Sequence, residues 1–162
     1  MEAKIGLLMD VPDGKLVDFY TQIEKALAGK ANVFDQDNEM IIVSSEAEKF
    51  TVIEVMAGLN VNTDQMKLLL LPSDAELMDL FSDYGFTSEG ENNYLYEKLV
   101  VSFRFTEDSK QADVDQASLQ IEEHLLALYK DHGRDIYVVD RQLEELMQGI
   151  AKAYRCRIEV LA

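Results

Sequence analysis

The sequence predicts an α+β fold, a single mixed β-sheet with helices packed on it, built from repeated strand–helix–strand units and forming one acidic domain over residues 1–162. Three observations lead there. Short apolar runs of strand length alternate with stretches whose apolar residues recur at helical spacing. An aspartate stands at or just past the end of an apolar run at Asp10, Asp74 and Asp140, each time ahead of a helical stripe, where a carboxylate caps the orphan amides of a helix start. Hydrophobic residues make up 48% of the chain and charged ones 28%, the balance of a packed protein, and no linker or low-complexity tract divides it.

Taken in order, Lys4–Met9 reads as a buried strand, followed by a turn at Asp10-Val11-Pro12-Asp13-Gly14. Leu16, Phe19, Tyr20, Ile23 and Leu27 make a helical stripe that Gly29 ends. Residues 31–34 and Met40–Val43 read as two strands around an Asp35-Gln36-Asp37-Asn38 turn. The β-branched content of residues 50–56 (Thr51, Val52, Ile53, Val55) favours a third. Residues 58–64 are polar and loop-like, and residues 66–71 are a fully apolar strand. Ser73 and Glu76 have capping-box spacing, so a helix with the inner stripe Leu77, Leu80, Phe81 and Tyr84 is expected up to Gly85.

A loop over residues 87–93 leads into a long strand, residues 94–105. Asp113 and Gln116 open a helix with the stripe Val114, Ala117, Ile121, Leu125 and Leu128, ended by Gly133. Residues 135–139 are a strand. Asp140 caps a last helix with the stripe Leu143, Met147, Ile150 and Tyr154, and residues 157–161 close the chain as a strand.

Several chemistries lack their residues. The single cysteine, Cys156, makes no internal disulfide and no CxxC knuckle. It stands between Arg155 and Arg157, which would lower a thiol pKa, but a cysteine at a strand start is ordinarily core. His124 and His132, eight apart on one expected helix, are not a helical ligand pair. Gly85 and Gly90 have Walker-A spacing, yet Glu91 and Asn92 occupy the Lys and Ser/Thr positions, and a glutamate there repels phosphate. Asp35, Asp37, Glu39 and Glu46 match EF-hand positions, but Met40 stands where the loop needs glycine. No G-x-S-x-G elbow or long apolar span occurs. No cofactor is expected.

Residues 68–100, with Leu-Met-Asp-Leu-Phe-Ser-Asp-Tyr-Gly-Phe followed by Tyr-Leu-Tyr-Glu-Lys-Leu-Val, resemble the C-terminal strand–helix–strand of the GNAT N-acetyltransferases. The resemblance covers about a fifth of the chain and implies a strand–helix–strand unit. The family's R/Q-x-x-G-x-G/A loop for the coenzyme-A pyrophosphate has no counterpart upstream, so no activity follows from it.

Charge is the distinctive property. There are 31 Asp and Glu against 15 Lys and Arg, a net charge of −16. All of this excess lies in residues 1–129, because residues 130–162 hold six of each sign. Direct nucleic-acid binding, which displaces counterions with positive charge, is not expected, nor is a membrane role. The leading expectation is a cytoplasmic binding protein, of inhibitor, immunity or DNA-mimic type, that captures a basic protein by electrostatic steering. Its expected contacts are Glu76, Asp79 and Asp83, stacked at i, i+3, i+7 on one helix face, with the loop acids Glu89 and Glu91. An alternative is a Mg²⁺-dependent phosphoryl-transfer or hydrolytic enzyme. It requires Asp10, Asp74 and Asp140 to converge at the C-terminal ends of parallel neighbouring strands. A structural homodimer is a third reading.

Overall fold

The computed structural model describes residues 1–11 and 16–161. The strands are β1 (Glu2–Asp10), β2 (Asp35–Asp37), β3 (Met40–Val43), β4 (Asn62–Leu70), β5 (Glu76–Leu77), β6 (Gly85–Thr87), β7 (Asn93–Tyr96), β8 (Val100–Phe105), β9 (Leu125–Asp131), β10 (Arg134–Asp140) and β11 (Ile158–Val160). The α-helices are α1 (Leu16–Leu27), α2 (Glu46–Gly58), α3 (Gln111–Ile121) and α4 (Glu144–Ala153). The protein is therefore α+β.

The strands form two sheets, ordered β2-β3-β1-β4-β7-β6 and β11-β8-β10-β9-β5, which corrects the single mixed sheet. Strand pairings run antiparallel, β1 with β3 and β4 in the first sheet, β10 with β8 and β9 in the second. Helices do follow strands along the chain, but the repeated strand–helix–strand plan is not what pairs them. Antiparallel neighbours need only short turns. His132 and Gly133 supply one between β9 and β10, both with positive φ (50° and 79°), the backbone that a type I′ hairpin requires and that glycine adopts without strain.

Contacts group the chain into two compact units, residues 1–70 with 87–94, and residues 71–86 with 95–162. In the first, Leu7, Met9, Ile41 and Val43 project from one sheet face onto Ile23 and Leu27 of α1 and Val52 and Met56 of α2. Gly29, at φ 75°, stops α1 as expected. Of the expected turn at residues 10–14, Asp10 ends β1, while residues 12–14 and the side chains of Leu16, Phe19 and Tyr20 fall outside the described residues.

Residues 50–56 are helical, not extended. Ser45 is the N-cap and its hydroxyl accepts from the Glu48 N–H (3.2 Å), while the Glu48 carboxylate accepts from the Ser44 N–H (3.0 Å). This reciprocal cap overrides the mild strand preference of the β-branched residues, and Lys49, Val52 and Met56 are buried at i, i+3, i+7.

In the second unit, Val101, Phe103, Phe105, Tyr137 and Val139 of the sheet pack with Ala117 and Ile121 of α3 and Met147, Ile150 and Ala151 of α4. Tyr137 stacks on Phe103 at 5.3 Å and meets Phe105 edge-on at 5.4 Å. Three expectations change here. The helix expected from Asp113 to Gly133 ends at Ile121, and Leu125–Asp131 becomes β9. The long strand 94–105 is broken at Glu97–Leu99 by a 3-10 turn, and its halves join different sheets.

The helix expected from Asp74 to Tyr84 is instead the short strand β5 and a 3-10 turn, Asp79–Asp83. Glu76 and Leu77 pair with Leu128 and Ala127, and the Met78 N–H donates to Leu126 O at 3.0 Å. Backbone pairing with β9 thus outcompetes the capping box. The strand–helix–strand implied by the acetyltransferase resemblance is consequently absent.

If the Ser45 cap starts α2, Ser45→Ala costs about 1 kcal/mol, read as a lower urea midpoint with an unchanged slope. An unaltered midpoint would show that the helix starts without it.

Candidate functional site

The second unit carries a groove of about 400 Å³ between α3 and the sheet. Its apolar floor is Met78, Val114, Leu125 and Leu128, and the Tyr137 hydroxyl lies within it, 2.9 Å from the Ser118 hydroxyl. Four carboxylates rim it: Glu76 from β5, Asp115 from α3, Glu122 from the 3-10 turn directly after α3, and Asp135 from β10. Asp115, Ser118, Leu119 and Glu122 recur at i, i+3, i+4, i+7, so one stripe of α3 lines the groove while Ala117 and Ile121 face the core. Leu119 is 73% exposed, a large apolar group left in water beside these acids.

Among the described residues, only Asp135 of the four has a cation partner, Lys130 at 2.7 Å. Asp115 accepts from the Gln111 amide at 2.8 Å. Burial pushes the Tyr137 phenol up and the charges of Asp135 and Asp115 push it further, against a hydrogen bond from Ser118. Three carboxylates without an ion-pair partner beside an apolar floor suit a ligand that is cationic and amphipathic.

The acids expected to act together are divided. Glu76 belongs to the groove. Asp79 and Asp83 lie exposed in the 3-10 turn that follows, so their expected stacking on an α-helical face is corrected. Glu89 and Glu91 belong to the other unit, on the turn between β6 and β7. Glu89 crowds Asp37, whose carboxyl is raised by burial and then by the charges of Glu89 and Asp35. The charge itself is shared evenly: 14 Asp and Glu against 6 Lys and Arg in the first unit, 17 against 9 in the second, −8 in each.

The parallel neighbouring strands that the aspartate alternative needs are not formed, since β1 and β10 lie in different sheets. Asp10 is exposed at the end of β1, and Asp74 is exposed in a turn. Asp140 is occupied, its Oδ1 accepting from the Gln142 N–H (2.8 Å) and its Oδ2 from the Tyr84 hydroxyl (2.6 Å). Among the described residues no group of three or more His, Cys, Asp or Glu is placed to hold a metal ion. His124 lies in a 3-10 turn and His132 in the β9–β10 hairpin, not on one helix. No helix among the described residues is long and apolar enough to cross a membrane.

Asp35, which the sequence places in a turn and at an EF-hand spacing, is buried. Asp35 accepts from the Ser88 hydroxyl, the Asn92 amide (2.9 Å), the Tyr94 hydroxyl (2.8 Å) and the Gln36 N–H (2.8 Å). Gly90 completes the turn around it, since a Cβ there would come within 2.6 Å of the Asp35 carboxylate. Burial pushes the Asp35 carboxyl up, but the hydrogen bonds from Ser88, Asn92, Tyr94 and Gln36 outweigh it and hold the group below its usual 3.8. This carboxylate pins the 88–92 turn and has its acceptor capacity filled from within the protein.

No protein-family model and no curated protein matches the chain.

Because the Asp35 carboxyl is depressed on folding, its stabilisation is complete above the ordinary carboxylate range and disappears as the pH falls through the lower folded value. Asp35→Asn should therefore lower stability at neutral pH by about 2 kcal/mol and give a shallower loss below about pH 4. Denaturant melts from neutral to acid pH check this. Parallel curves for wild type and variant would show that Asp35 does not carry the effect.

Proposed function

We propose that this protein works by capturing a basic protein partner, and that the groove between α3 and the β5–β9 edge receives a cationic, amphipathic segment of it. The observation that carries the reading is the groove's composition: an apolar floor rimmed by Glu76, Asp115, Glu122 and Asp135, of which only Asp135 has an ion-pair partner, Lys130, among the described residues. Basic side chains of the segment meet the carboxylates. An apolar side chain covers Met78 and Leu128 and shields Leu119. The net charge of −16 steers a positive partner toward the surface and raises its on-rate. Glu89 and Glu91, with Asp37, add to that long-range field.

A fluorescent peptide of alternating Lys/Arg and Leu clusters is a direct probe. Glu76→Lys with Asp115→Lys and Glu122→Lys should weaken its binding by at least about tenfold and flatten the salt dependence. A control with Asp79→Lys and Asp83→Lys should do much less. Equal losses in the two variants would reduce the effect to overall charge and remove the groove from the proposal.

A further inference from the structure

One region of this acidic protein is positive. At the C-terminal end of α4, Lys152 of its last turn and Arg155 and Arg157 just beyond it surround an open pocket of about 530 Å³ with Gln148, Cys156 and Ile158. Gln148 and Lys152 are one helical turn apart on α4. All three cationic side chains are exposed, and among the described residues none has an ion-pair partner. Asp108 and Asp113 act on the region without forming an ion pair with these cations. Asp108 is held below its usual value mainly by a hydrogen bond from Thr106 and in smaller part by Arg157, and Asp113 adds to the burial that raises the Cys156 thiol.

Cations at a helix C-terminus ordinarily serve its unpaired carbonyls. Here that task is done by backbone. The Arg155 N–H donates to Lys152 O at 3.0 Å, and the Cys156 N–H donates to Ala151 O at 2.8 Å, the two bonds of a Schellman stop. The residue at its left-handed position is Arg155, with φ 62°, where glycine is favoured. The stop itself sets this left-handed backbone, and it leaves the side chains of Lys152, Arg155 and Arg157 lining one pocket with no ion-pair partner among the described residues.

We infer that this pocket is an anion site that takes a phosphate-bearing small molecule. Two guanidinium forks match the paired oxygens of a phosphate, and an ammonium adds a third charge, more than a single carboxylate would neutralise. A multiply charged group engages all three cations at once, and that local attraction favours it over a singly charged anion. The backbone of residues 155–157 is fixed for this, since Arg157 O accepts from the Thr106 N–H at 2.9 Å and the Arg157 N–H donates to Ser109 Oγ at 3.3 Å. The inference is independent of the acidic groove.

The test titrates the full chain with inorganic phosphate, pyrophosphate and citrate, with sodium chloride at matched ionic strength, following melting temperature and amide chemical shifts. Phosphate and, more tightly, pyrophosphate should raise the melting temperature saturably, with shifts confined to residues 148–158. Arg157→Gln and Lys152→Gln should each weaken pyrophosphate at least about tenfold. Arg155→Gly separates the roles: it relieves the left-handed backbone, so the ligand-free protein is at least as stable, yet pyrophosphate binding falls. Tighter binding of citrate would assign the pocket to carboxylates and overturn the phosphate reading. A response that sodium chloride reproduces, or one unchanged in all three variants, would overturn the site itself.

Discussion

Pairing of β9 with β10 is the constraint on which the second unit rests. A buried backbone must satisfy its N–H and C=O groups, and residues 125–131 do so across a hairpin with Arg134–Asp140 rather than within a helix. Once β9 is extended, its other edge is open, and Glu76–Leu77 fills part of it. That short pairing brings Glu76 and Met78 to the rim and floor of the groove. The same event ends α3 at Ile121, leaving Asp115, Leu119 and Glu122 on the stripe that faces it. The groove is thus a product of sheet pairing as much as of the α3 surface that faces it.

Elements with local signals were legible in the sequence. The apolar runs at β1, β3 and β10, Ile23, Leu27 and the glycine stop of α1, and Met147 and Ile150 of α4 follow from periodicity and end chemistry, while the Asp140 cap falls on the 3-10 turn that leads into α4 rather than on α4 itself. The misreadings share a cause. Residues 74–84 and 125–133 carry helical spacing, yet long-range pairing settles them, and such pairing leaves no mark in a short window. Residues 50–56 went the other way: β-branched content obscured the Ser45–Glu48 cap, which was present to be read. Of the groove acids only Glu76 was foreseen. The i, i+3, i+4, i+7 spacing of Asp115, Ser118, Leu119 and Glu122 was visible, but attention to the core stripe Ala117–Ile121 hid it. Asp35 could not be found from sequence, because its donors lie more than fifty residues away.

The carboxylates divide by what they do. Asp35 and Asp140 are spent on internal donors and hold turns and helix starts in place. Glu46, Asp135 and Glu159 offset neighbouring cations at the surface, pairs that contribute little to stability. Glu76 and Glu122 have neither role, Asp115 accepts only from the exposed Gln111 amide, and all three remain without an ion-pair partner among the described residues. Against that background the three cations beyond α4 stand out by sign, so the molecule presents two surfaces of opposite polarity within one unit.

The chain enters the first unit, leaves it at Leu70 and comes back for Thr87–Tyr94. Its assembly is consequently not complete when its first seventy residues have been synthesised. Until the returning segment docks, the Asp35 carboxylate lacks Ser88, Asn92 and Tyr94 and keeps only the Gln36 N–H among these donors. Closing that contact requires a loop of about fifty residues, so the acid knot belongs to the late, topology-limited phase of folding rather than to local nucleation.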